Sequence, residues 1–338
     1  MKTMSEKPEQ MPDNVTDRPL VTFVVLAYNQ EEYIREAVDG AFAQTYSPLE
    51  IILSDDCSTD RTFEIMQEMA EKYQGNHEVR VRRNSSNLGF AGHINEAHKG
   101  ASGQFITWSA GDDIALFDRT TIFVYALLSE GLNMVHSALL KIDLEGKELN
   151  VNQHPSNVRQ PSMQSVVLQI RGVVTQSFCF RKSAFDIFGE LSRDVTHEAI
   201  VYGFRAASLG KIRYISEPLT KYRIGSGIST SNVRNTPLHR QNEAIKVSGW
   251  RMTALNQIRR DLEISTKFKP EYGLEDLINT ELAKWELIHS INKGNLPAVF
   301  EAIRTRYIFN KDVLRAVIRT CKYQATKIIF SRSMKNER

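Results

Sequence analysis

The chain has 338 residues, of which 41 % are hydrophobic and 25 % charged, so it can form one large domain or two smaller ones with ample apolar content for a core. Its three cysteines are too few for a disulfide framework and lack the spacing of metal ligands, which favours a reducing, cytosolic compartment. The net charge of +3 is uneven, because residues 304–338 hold ten Lys and Arg against two acids, so this stretch carries +8 and the remainder −5.

The first 18 residues predict a disordered tail. They are polar, contain two prolines and have no apolar segment of the kind found in signal peptides. No apolar run in the chain approaches the roughly 20 residues that cross a bilayer. We therefore expect a soluble or peripheral protein.

Four predicted strands alternate with helices in the first third of the chain. Residues 20–27 form a continuous apolar run, as expected of a strand buried on both faces. The later strands are predicted at 49–54, 79–83 and 104–109, and the helices at 31–44, from the capping residues 58–60 to 73, and at 89–101. This alternation predicts a parallel, doubly wound α/β sheet.

Past residue 113 the pattern is mixed, and past residue 237 it is helical. In the mixed part, strands are predicted at 134–142, 176–181 and 212–216, helices at 183–188 and 198–209, and a polar loop at 153–164. In the last part, helices are predicted at 246–262, 274–292 and 312–330. We expect a tail over 1–18, a sheet domain over 19–232 and a helical region over 233–338 with a basic amphipathic end.

Two aspartate pairs, Asp55-Asp56 and Asp112-Asp113, each follow directly on a predicted strand. If both strands are parallel in one sheet, all four carboxylates lie at its carboxyl edge, where open α/β sheets bind ligands. Carboxylates this close repel one another unless a cation or hydrogen-bond donors lie between them. The pattern predicts a site for a metal ion and a phosphorylated ligand.

The segments that carry these pairs resemble the family 2 glycosyltransferases with the GT-A fold. The matching stretches are PLVTFVVLAYNQEEYIREAV, QTYSPLEIILSDDCSTDRT, NLGFAGHINEAHKGASGQFITWSAGDDI and FRAASLGKIRYISEPLTKYR, in family order. The resemblance covers about residues 20–231. It implies a GT-A-type, nucleotide-binding, doubly wound and mostly parallel sheet, here followed by a C-terminal helical extension.

The resemblance implies a transferase that moves a sugar from a nucleotide-diphosphate sugar, expected to be of the UDP or dTDP type, to an acceptor hydroxyl with inversion. In that family the residue matching Asp56 accepts the imide N–H of the base. The expected nucleotide-binding residues are Ala27, Tyr28, Asn29, Glu31, Asp55, Asp56, Arg83, Asp112 and Arg223. Arg83 is expected near the base or a phosphate, and Arg223 at the diphosphate.

Asp112-Asp113 occupy the place of the metal-binding D-x-D element of the family. We expect Mg2+ or Mn2+, with Asp113 as the ligand and Asp112 as its helper, because few carboxylates plus diphosphate oxygens suffice for a hard cation. Such a cation offsets the charge on the leaving nucleotide diphosphate. The commoner pattern is D-A-D-D, and Ala110 stands here in place of its first acid.

The general base is less clearly marked. Inverting members carry a Glu-Asp pair before an L-x-x-R-A helix, and here Glu198 matches the Glu whereas Ala199 replaces the catalytic Asp. Glu198 is the nearest carboxylate able to act as base, with His197 and Asp194 as substitutes. The alternative is that Glu198 is an ordinary acid in the first turn of a helix.

Two departures leave a second function open. Ala199, and Gly225 where the family has His, also fit a catalytically silent relative that binds nucleotide sugars or scaffolds a pathway. The flexible residues 225–227 could instead form a closing loop. A sugar nucleotidyltransferase fits poorly, because no Gly-rich phosphate loop follows the first strand.

The basic end of the chain predicts a partner. Cations recur at helical spacing at Lys311, Arg315, Arg319 and Lys322, while Val313, Leu314, Val317, Ile318 and Cys321 face elsewhere. This amphipathic helix either lies on an anionic membrane or packs as an ordinary surface helix. No stacking platform accompanies the charge, so nucleic acid is not expected. With the family, the pattern implies a cytoplasmic enzyme, peripheral on the inner face of the cell membrane, with a polysaccharide, lipid-linked or lipopolysaccharide acceptor.

Overall fold

A computed structural model describes residues 18–152, 162–168, 176–226, 236–305 and 307–336. The tail predicted for the first 17 residues, most of the loop predicted at 153–164, and Gly227 lie outside these residues. The described part contains strands β1 to β9 and helices α1 to α11. None of these helices is long and apolar enough to cross a bilayer.

The strands and helices have the following bounds. The strands are β1 Val21–Ala27, β2 Leu49–Asp55, β3 Glu78–Arg83, β4 Phe105–Ala110, β5 Ile114–Ala115, β6 Met134–Ile142, β7 Glu148–Asn152, β8 Phe178–Arg181 and β9 Ile212–Arg223. The helices are α1 Ile34–Phe42, α2 Thr62–Lys72, α3 Gly89–Lys99, α4 Arg119–Ser129, α5 Met163–Val167, α6 Ser183–Phe188, α7 Glu198–Leu209, α8 Pro237–Phe268, α9 Leu274–Asn292, α10 Leu296–Arg304 and α11 Lys311–Asn336, with a 3-10 turn at Tyr307–Phe309.

The strands form one mixed, mostly parallel sheet in the order β3-β2-β1-β4-β8-β6-β9-β5, with β7 paired to β6. Strands β1 to β4 are parallel, and β1 lies between β2 and β4. The register aligns the end of β1 with the ends of its neighbours, because Ala27 pairs with Asp55 and Leu26 with Ala110. The predicted α/β sheet, with helices α8–α11 following it, is therefore confirmed.

The two faces of the sheet pack into separate cores. Along β1, Val24 and Leu26 belong to one apolar cluster, whereas Phe23 and Val25 belong to the other, because successive side chains of a strand point to opposite faces. The first cluster also contains apolar residues of α7, α8 and α9. The C-terminal helices thus share a core with the sheet, and a domain boundary near residue 232 stays a prediction.

The predicted elements differ from the structure mainly where periodicity is weak. Helix α4 (RTTIFVYALLS) is apolar on nearly every face because both sides are covered, so it has no amphipathic pattern. Helix α10 is only nine residues long. Helix α8 begins at Pro237, not 246, and is capped by Thr236, whose hydroxyl accepts from the His239 N–H at 3.1 Å.

Candidate active site

The turns after β1 and β2 lock together at the carboxyl edge of the sheet. Asn29 has a φ of 52°, a left-handed conformation that Asn tolerates better than most residues. Its backbone N–H donates to the Ser58 hydroxyl at 2.9 Å, and its side-chain oxygen accepts from the Thr59 N–H at 2.8 Å. Through these bonds Asn29 in the turn after β1 is joined to Ser58 and Thr59 in the turn after β2. They form one rigid rim of a pocket.

Asp55 stabilises the turn after β2 through hydrogen bonds of its buried carboxylate. It is fully buried and accepts from the Ser58 N–H at 2.9 Å and from the Ser58 hydroxyl. Arg83 Nε lies 3.2 Å from Asp55 Oδ2, and its Nη2 donates to the Ser58 carbonyl at 2.5 Å. Both oxygens of Asp55 therefore bind protein donors. The side chain of Asp55 thus fixes the turn after β2, and its contact with a nucleotide stays a prediction.

Asp56 lies beside the end of β1. Its backbone N–H donates to the Ala27 carbonyl at 3.0 Å, and its Oδ1 accepts from Asn84 Nδ2 at 2.6 Å and from the Leu88 N–H at 2.9 Å. Burial raises the pKa of this carboxyl, and the donated hydrogen bonds oppose the rise. Asn84, which directly follows β3, was not singled out in the sequence, and Leu88 was matched there only as part of the family motif. Such a held carboxylate can accept an N–H from a planar heterocycle.

The remaining predicted pocket residues surround Asp56. Tyr28 is 41 % exposed at the end of β1, beside the buried Ala27, and is available to stack on a ligand. Glu31 accepts from the Arg61 N–H at 3.0 Å and so joins the two turns. Arg83 lies over the Phe63 ring at 4.8 Å. The structure thus brings together Ala27, Tyr28, Asn29, Glu31, Asp55, Asp56 and Arg83.

Asp112 and Asp113 lie on the other side of β1, in the turn after β4. Burial raises the pKa of both carboxyls, and the neighbouring charge of Asp112 raises that of Asp113 further. Asp113 Oδ1 accepts from the Arg223 backbone N–H at 3.0 Å, and Asp112 Oδ2 accepts from the Ser226 hydroxyl at 2.7 Å. Two adjacent buried carboxyls are costly in the ionised form unless a cation accompanies them.

Gln30 is a third side chain with an oxygen beside Asp112 and Asp113. Its side chain hydrogen-bonds Asp112, while its Oε1 is buried without a hydrogen-bond partner. A Cβ at Gly111 would lie 2.4 Å from this oxygen, so only glycine leaves room for Gln30 there. Two carboxylates and an amide oxygen are hard ligands that suit Mg2+ or Mn2+. Within the described residues no group of three or more His, Cys, Asp and Glu side chains is placed to hold a metal ion, at this turn or elsewhere.

Arg223 differs from the expectation that it faces the diphosphate. The side chain is buried, with Nε donating to the Asp112 carbonyl at 3.1 Å and Nη1 to the Leu144 carbonyl at 2.8 Å. Its Nη2 lies 3.0 Å from Glu36 Oε2, and its guanidinium lies over the Tyr33 ring. In this structure Arg223 holds the turn of the acidic pair from beneath.

Glu198 lies at the first residue of α7 and is 7 % exposed. Strand β9 follows α7 and runs parallel to β1 by way of β6, β8 and β4. The N-terminus of α7 therefore lies toward the carboxyl edge of the sheet, as the aspartates do. One turn further along α7, the Tyr202 hydroxyl lies 3.1 Å from His98 Nδ1, which is packed against Trp108 of β4.

The other candidate bases are less suited. Burial, with the charge of Arg251, lowers the pKa of His197 to about 4, so its ring is neutral at pH 7 but a weak proton acceptor. Asp194 is exposed, and Ala199 is buried. Glu198 remains the predicted base.

Comparisons with known proteins agree with this architecture. The profile described as glycosyl transferase family 2 matches residues 22–188. An uncharacterized glycosyltransferase of Haemophilus influenzae is 25 % identical over 224 residues, which cover 64 % of this chain and 87 % of that protein. EpsJ, an uncharacterized glycosyltransferase of Bacillus subtilis, is 36 % identical over 107 residues, which cover 30 % of each chain.

Two solved structures share the fold. S. aureus TarS (residues 1–349) in complex with UDP-GlcNAc aligns with a TM-score of 0.52 at 15 % identity, over 84 % of this chain and 91 % of that one. The mannosyltransferase PcManGT from Pyrobaculum calidifontis, in complex with GDP-Man and Mn2+, aligns with a TM-score of 0.54 at 18 % identity, over 96 % and 90 %. At such identities the likeness shows the GT-A architecture.

Proposed function

Because the chain belongs to glycosyl transferase family 2 and is a nucleotide-sugar glycosyltransferase, we propose that it transfers a hexose from a UDP or dTDP sugar to an acceptor hydroxyl, with inversion and with a divalent cation. The observation that carries the proposal is the position of Asp55-Asp56 and Asp112-Asp113 on either side of β1. The UDP-GlcNAc in TarS and the GDP-Man and Mn2+ in PcManGT support a nucleotide-diphosphate donor and a divalent cation.

In the proposed donor site, Asp56 accepts the imide N–H of the base, and Tyr28 and Ala27 contact the nucleoside. Asn29, Glu31 and Asp55 keep the two turns in place through their hydrogen bonds to residues 58–61. Arg83, which is about one third exposed, is the cation available beside the nucleotide. All the residues predicted for the nucleotide keep a role in this proposal, but direct contact is assigned only to Ala27, Tyr28, Asp56 and Arg83.

Asp112, Asp113 and Gln30 are the residues proposed to hold the cation. A bound Mg2+ or Mn2+ supplies positive charge opposite the leaving nucleotide diphosphate. Arg223 positions the pair through the Asp112 carbonyl and the Asp113 carboxylate. Ser226, which donates to Asp112, belongs to the segment 225–227 that is proposed to close over the donor.

On the acceptor side, Glu198 is proposed to take the proton of the acceptor hydroxyl. The hydroxyl oxygen then bonds to the anomeric carbon from the face opposite the diphosphate. The bond between that carbon and the diphosphate oxygen breaks, and the nucleoside diphosphate leaves with the electron pair. Glu198 lies at the N-terminus of α7, a position where acidic side chains complement the helix dipole.

The acceptor is proposed to be a growing polysaccharide, a lipid-linked oligosaccharide or a lipopolysaccharide core, used at the cytoplasmic face of the cell membrane. Support comes from the bacterial glycosyltransferases that the chain resembles and from the basic charge of residues 304–338. Neither observation selects one of these acceptors.

The test begins with thermal unfolding of the full chain with UDP, dTDP and GDP sugars, each with and without Mn2+ or Mg2+. A bound donor raises the melting temperature by mass action. Asp112→Asn and Asp113→Asn are expected to remove the part of the shift that depends on the metal. If no nucleotide sugar raises the melting temperature, the proposal is refuted.

The second step distinguishes an enzyme from a catalytically silent relative. The buried Ala199, which stands in place of an Asp, favours the silent relative. For an enzyme, Glu198→Gln should keep donor binding and lower transfer at least about 100-fold, since a general base contributes about 10²–10⁴-fold. Asp194→Asn is the matched control and should leave the rate unchanged. A silent relative would bind the donor, transfer nothing, and show no effect of Glu198→Gln.

A further inference from the structure

Helix α10 exposes one apolar face. Leu296, Phe300 and Ile303 recur at helical spacing and are 63, 71 and 54 % exposed. The opposite face carries Ala298 and Ala302, which are buried in a cluster with Ile288 and Ile291 of α9. The helix therefore packs on α9 through its small residues and turns its large apolar residues outward. A row of exposed apolar side chains of this size usually marks a contact surface.

The 3-10 turn, which contacts both α10 and α11, and the start of α11 expose further large apolar side chains. Phe309, in the 3-10 turn, is 83 % exposed, and Leu314 and Ile318 are 42 and 46 % exposed. Of the 16 exposed large apolar side chains in the described part of the chain, these three and the three of α10 fall within 23 residues. We call Leu296, Phe300, Ile303, Phe309, Leu314 and Ile318 the C-terminal apolar face.

This arrangement differs from the sequence-based expectation for the basic helix. Val313 and Ala316 of α11 are buried against α9, but Leu314 and Ile318, which were expected to share the packed side with Val313, lie on the outer side. Exposed cations accompany these apolar residues on α11: Lys311 is exposed, and Arg315, which lies 3.8 Å from Asp312, is exposed at the edge of a groove between α8, α9 and α11. An ordinary surface helix would leave mainly polar groups on its outer side.

The net charge around the C-terminal apolar face indicates what kind of partner it binds. Residues 296–322 contain six Lys and Arg against two acids, a net charge of +4. A symmetric contact between two copies would bring two such segments together and leave like charges facing each other. An anionic lipid surface instead offers an apolar layer for the side chains and phosphates for the cations. Phe300 and Phe309 are aromatic anchors suited to that boundary.

We propose that the C-terminal apolar face inserts into the headgroup region of an anionic bilayer, with α10 and the start of α11 parallel to the membrane. Interfacial helices of this kind bury their apolar face about 5–10 Å deep without crossing the bilayer. Lys311 and Arg315 lie beside the inserted residues and contact lipid phosphates. The membrane anchor therefore consists of α10 and the 3-10 turn together with the basic residues. Binding to the membrane in this way does not depend on the proposed transfer reaction.

The test is flotation of the full chain with vesicles of phosphatidylcholine alone or with about 30 % phosphatidylglycerol, at about 0.15 M salt. The test variant is Phe300→Ser/Phe309→Ser, which keeps the charge and replaces two side chains that make few protein contacts. The matched control is Phe268→Ser/Tyr272→Ser, another exposed aromatic pair, 52 and 99 % exposed. Phe268 ends α8 and Tyr272 lies in the turn before α9, so the 19 residues of α9, about 28 Å of helix, separate the control pair from α10.

The wild type and the control pair should float with the anionic vesicles. The partition coefficient of Phe300→Ser/Phe309→Ser should fall at least about 10-fold, because both anchors lose their apolar contact with lipid. Lys311→Gln/Arg315→Gln should weaken binding to the anionic vesicles, and higher salt should do the same. Circular dichroism and melting temperature should be unchanged for all variants.

Three outcomes would overturn the proposal. The first is equal flotation of the wild type and Phe300→Ser/Phe309→Ser. The second is equal binding to neutral and anionic vesicles, which would remove the role of the cations. The third is a lipid-free dimer in sedimentation analysis that the same double variant converts to a monomer, because the face would then be a contact between copies of the chain.

Discussion

Replacing Asp261 by Asn should destabilise the whole protein and not only its C-terminal helices. Asp261 of α8 receives two hydrogen bonds from Arg205 of α7, from Nε at 2.7 Å and from Nη2 at 3.2 Å. The two side chains are 3 and 0 % exposed. The pair joins the helix that begins at Glu198 to the helix that begins the C-terminal region, inside the core they share with the sheet.

The expected cost of Asp261→Asn is about 3 kcal/mol. Removing one partner of a buried ion pair costs about 3–5 kcal/mol, because the other charge stays in the interior without its partner. The lower end applies because Arg205 Nη1 keeps its bond to the Gly189 carbonyl at 2.8 Å and Asn can still accept a hydrogen bond. On the same helix, Glu263→Gln breaks an exposed pair with Lys267 and should cost at most about 0.5 kcal/mol.

Urea unfolding followed by circular dichroism and by tryptophan fluorescence measures this cost. Trp108 reports on the sheet, and Trp250 and Trp285 report on α8 and α9. We expect one transition by both probes, shifted to lower urea in Asp261→Asn, and a large recovery in Arg205→Met/Asp261→Leu, where no charge is left buried. A cost below about 1 kcal/mol, or an early transition confined to the C-terminal tryptophans, would refute the reasoning.

Three further predictions concern pH and the donor site. Burial lowers the pKa of His98 to about 3, whereas the unfolded chain binds its proton near pH 6.5, so this residue should contribute a stability loss of about 2 kcal/mol from pH 7 to 5, in addition to the losses from the buried His93 and His197. Denaturant titrations of wild type and His98→Phe/Tyr202→Phe should show the smaller pH slope in the variant. Asp56→Asn should raise the calorimetric Kd for UDP about 10-fold, with or without Mn2+, because a charged acceptor is lost. Gln30→Ala should weaken Mn2+ binding in the presence of UDP, measured by Mn2+ paramagnetic resonance, and leave metal-free UDP binding unchanged.

The parallel half of the sheet was predictable because its strands are buried on both faces. Every residue of β1 and β2 is buried, so both strands are mainly apolar in sequence, although β2 also buries Glu50, and the turn chemistry after each strand marks its end. The position of both aspartate pairs at one edge follows from that topology alone. The mixed half was harder, since β5 has two residues and β9 continues to Arg223 with a half-exposed pattern.

The roles of single side chains at the site were less predictable, because they depend on which atoms already have partners. Arg223 resembles a phosphate ligand by its place in the sequence, yet the nitrogens of its buried guanidinium bond to protein oxygens. Gln30 has no marked role in the sequence, yet its buried Oε1 has no partner beside Asp112. The one available signal for Gln30 was Gly111, where a small residue between a strand and two acids indicates a close approach.

The same reasoning explains how the chain accommodates four aspartates at one edge. Within the first pair, Asp55 binds donors of its own turn and of Arg83, which compensates its charge without any ligand. The second pair lies above Arg223, but that guanidinium also meets Glu36 and three carbonyls, so its charge is shared. Burial consequently raises the pKa of Asp112 and Asp113. A cation bound there would favour the ionised form of both carboxyls, so metal binding and protonation should compete at the second pair.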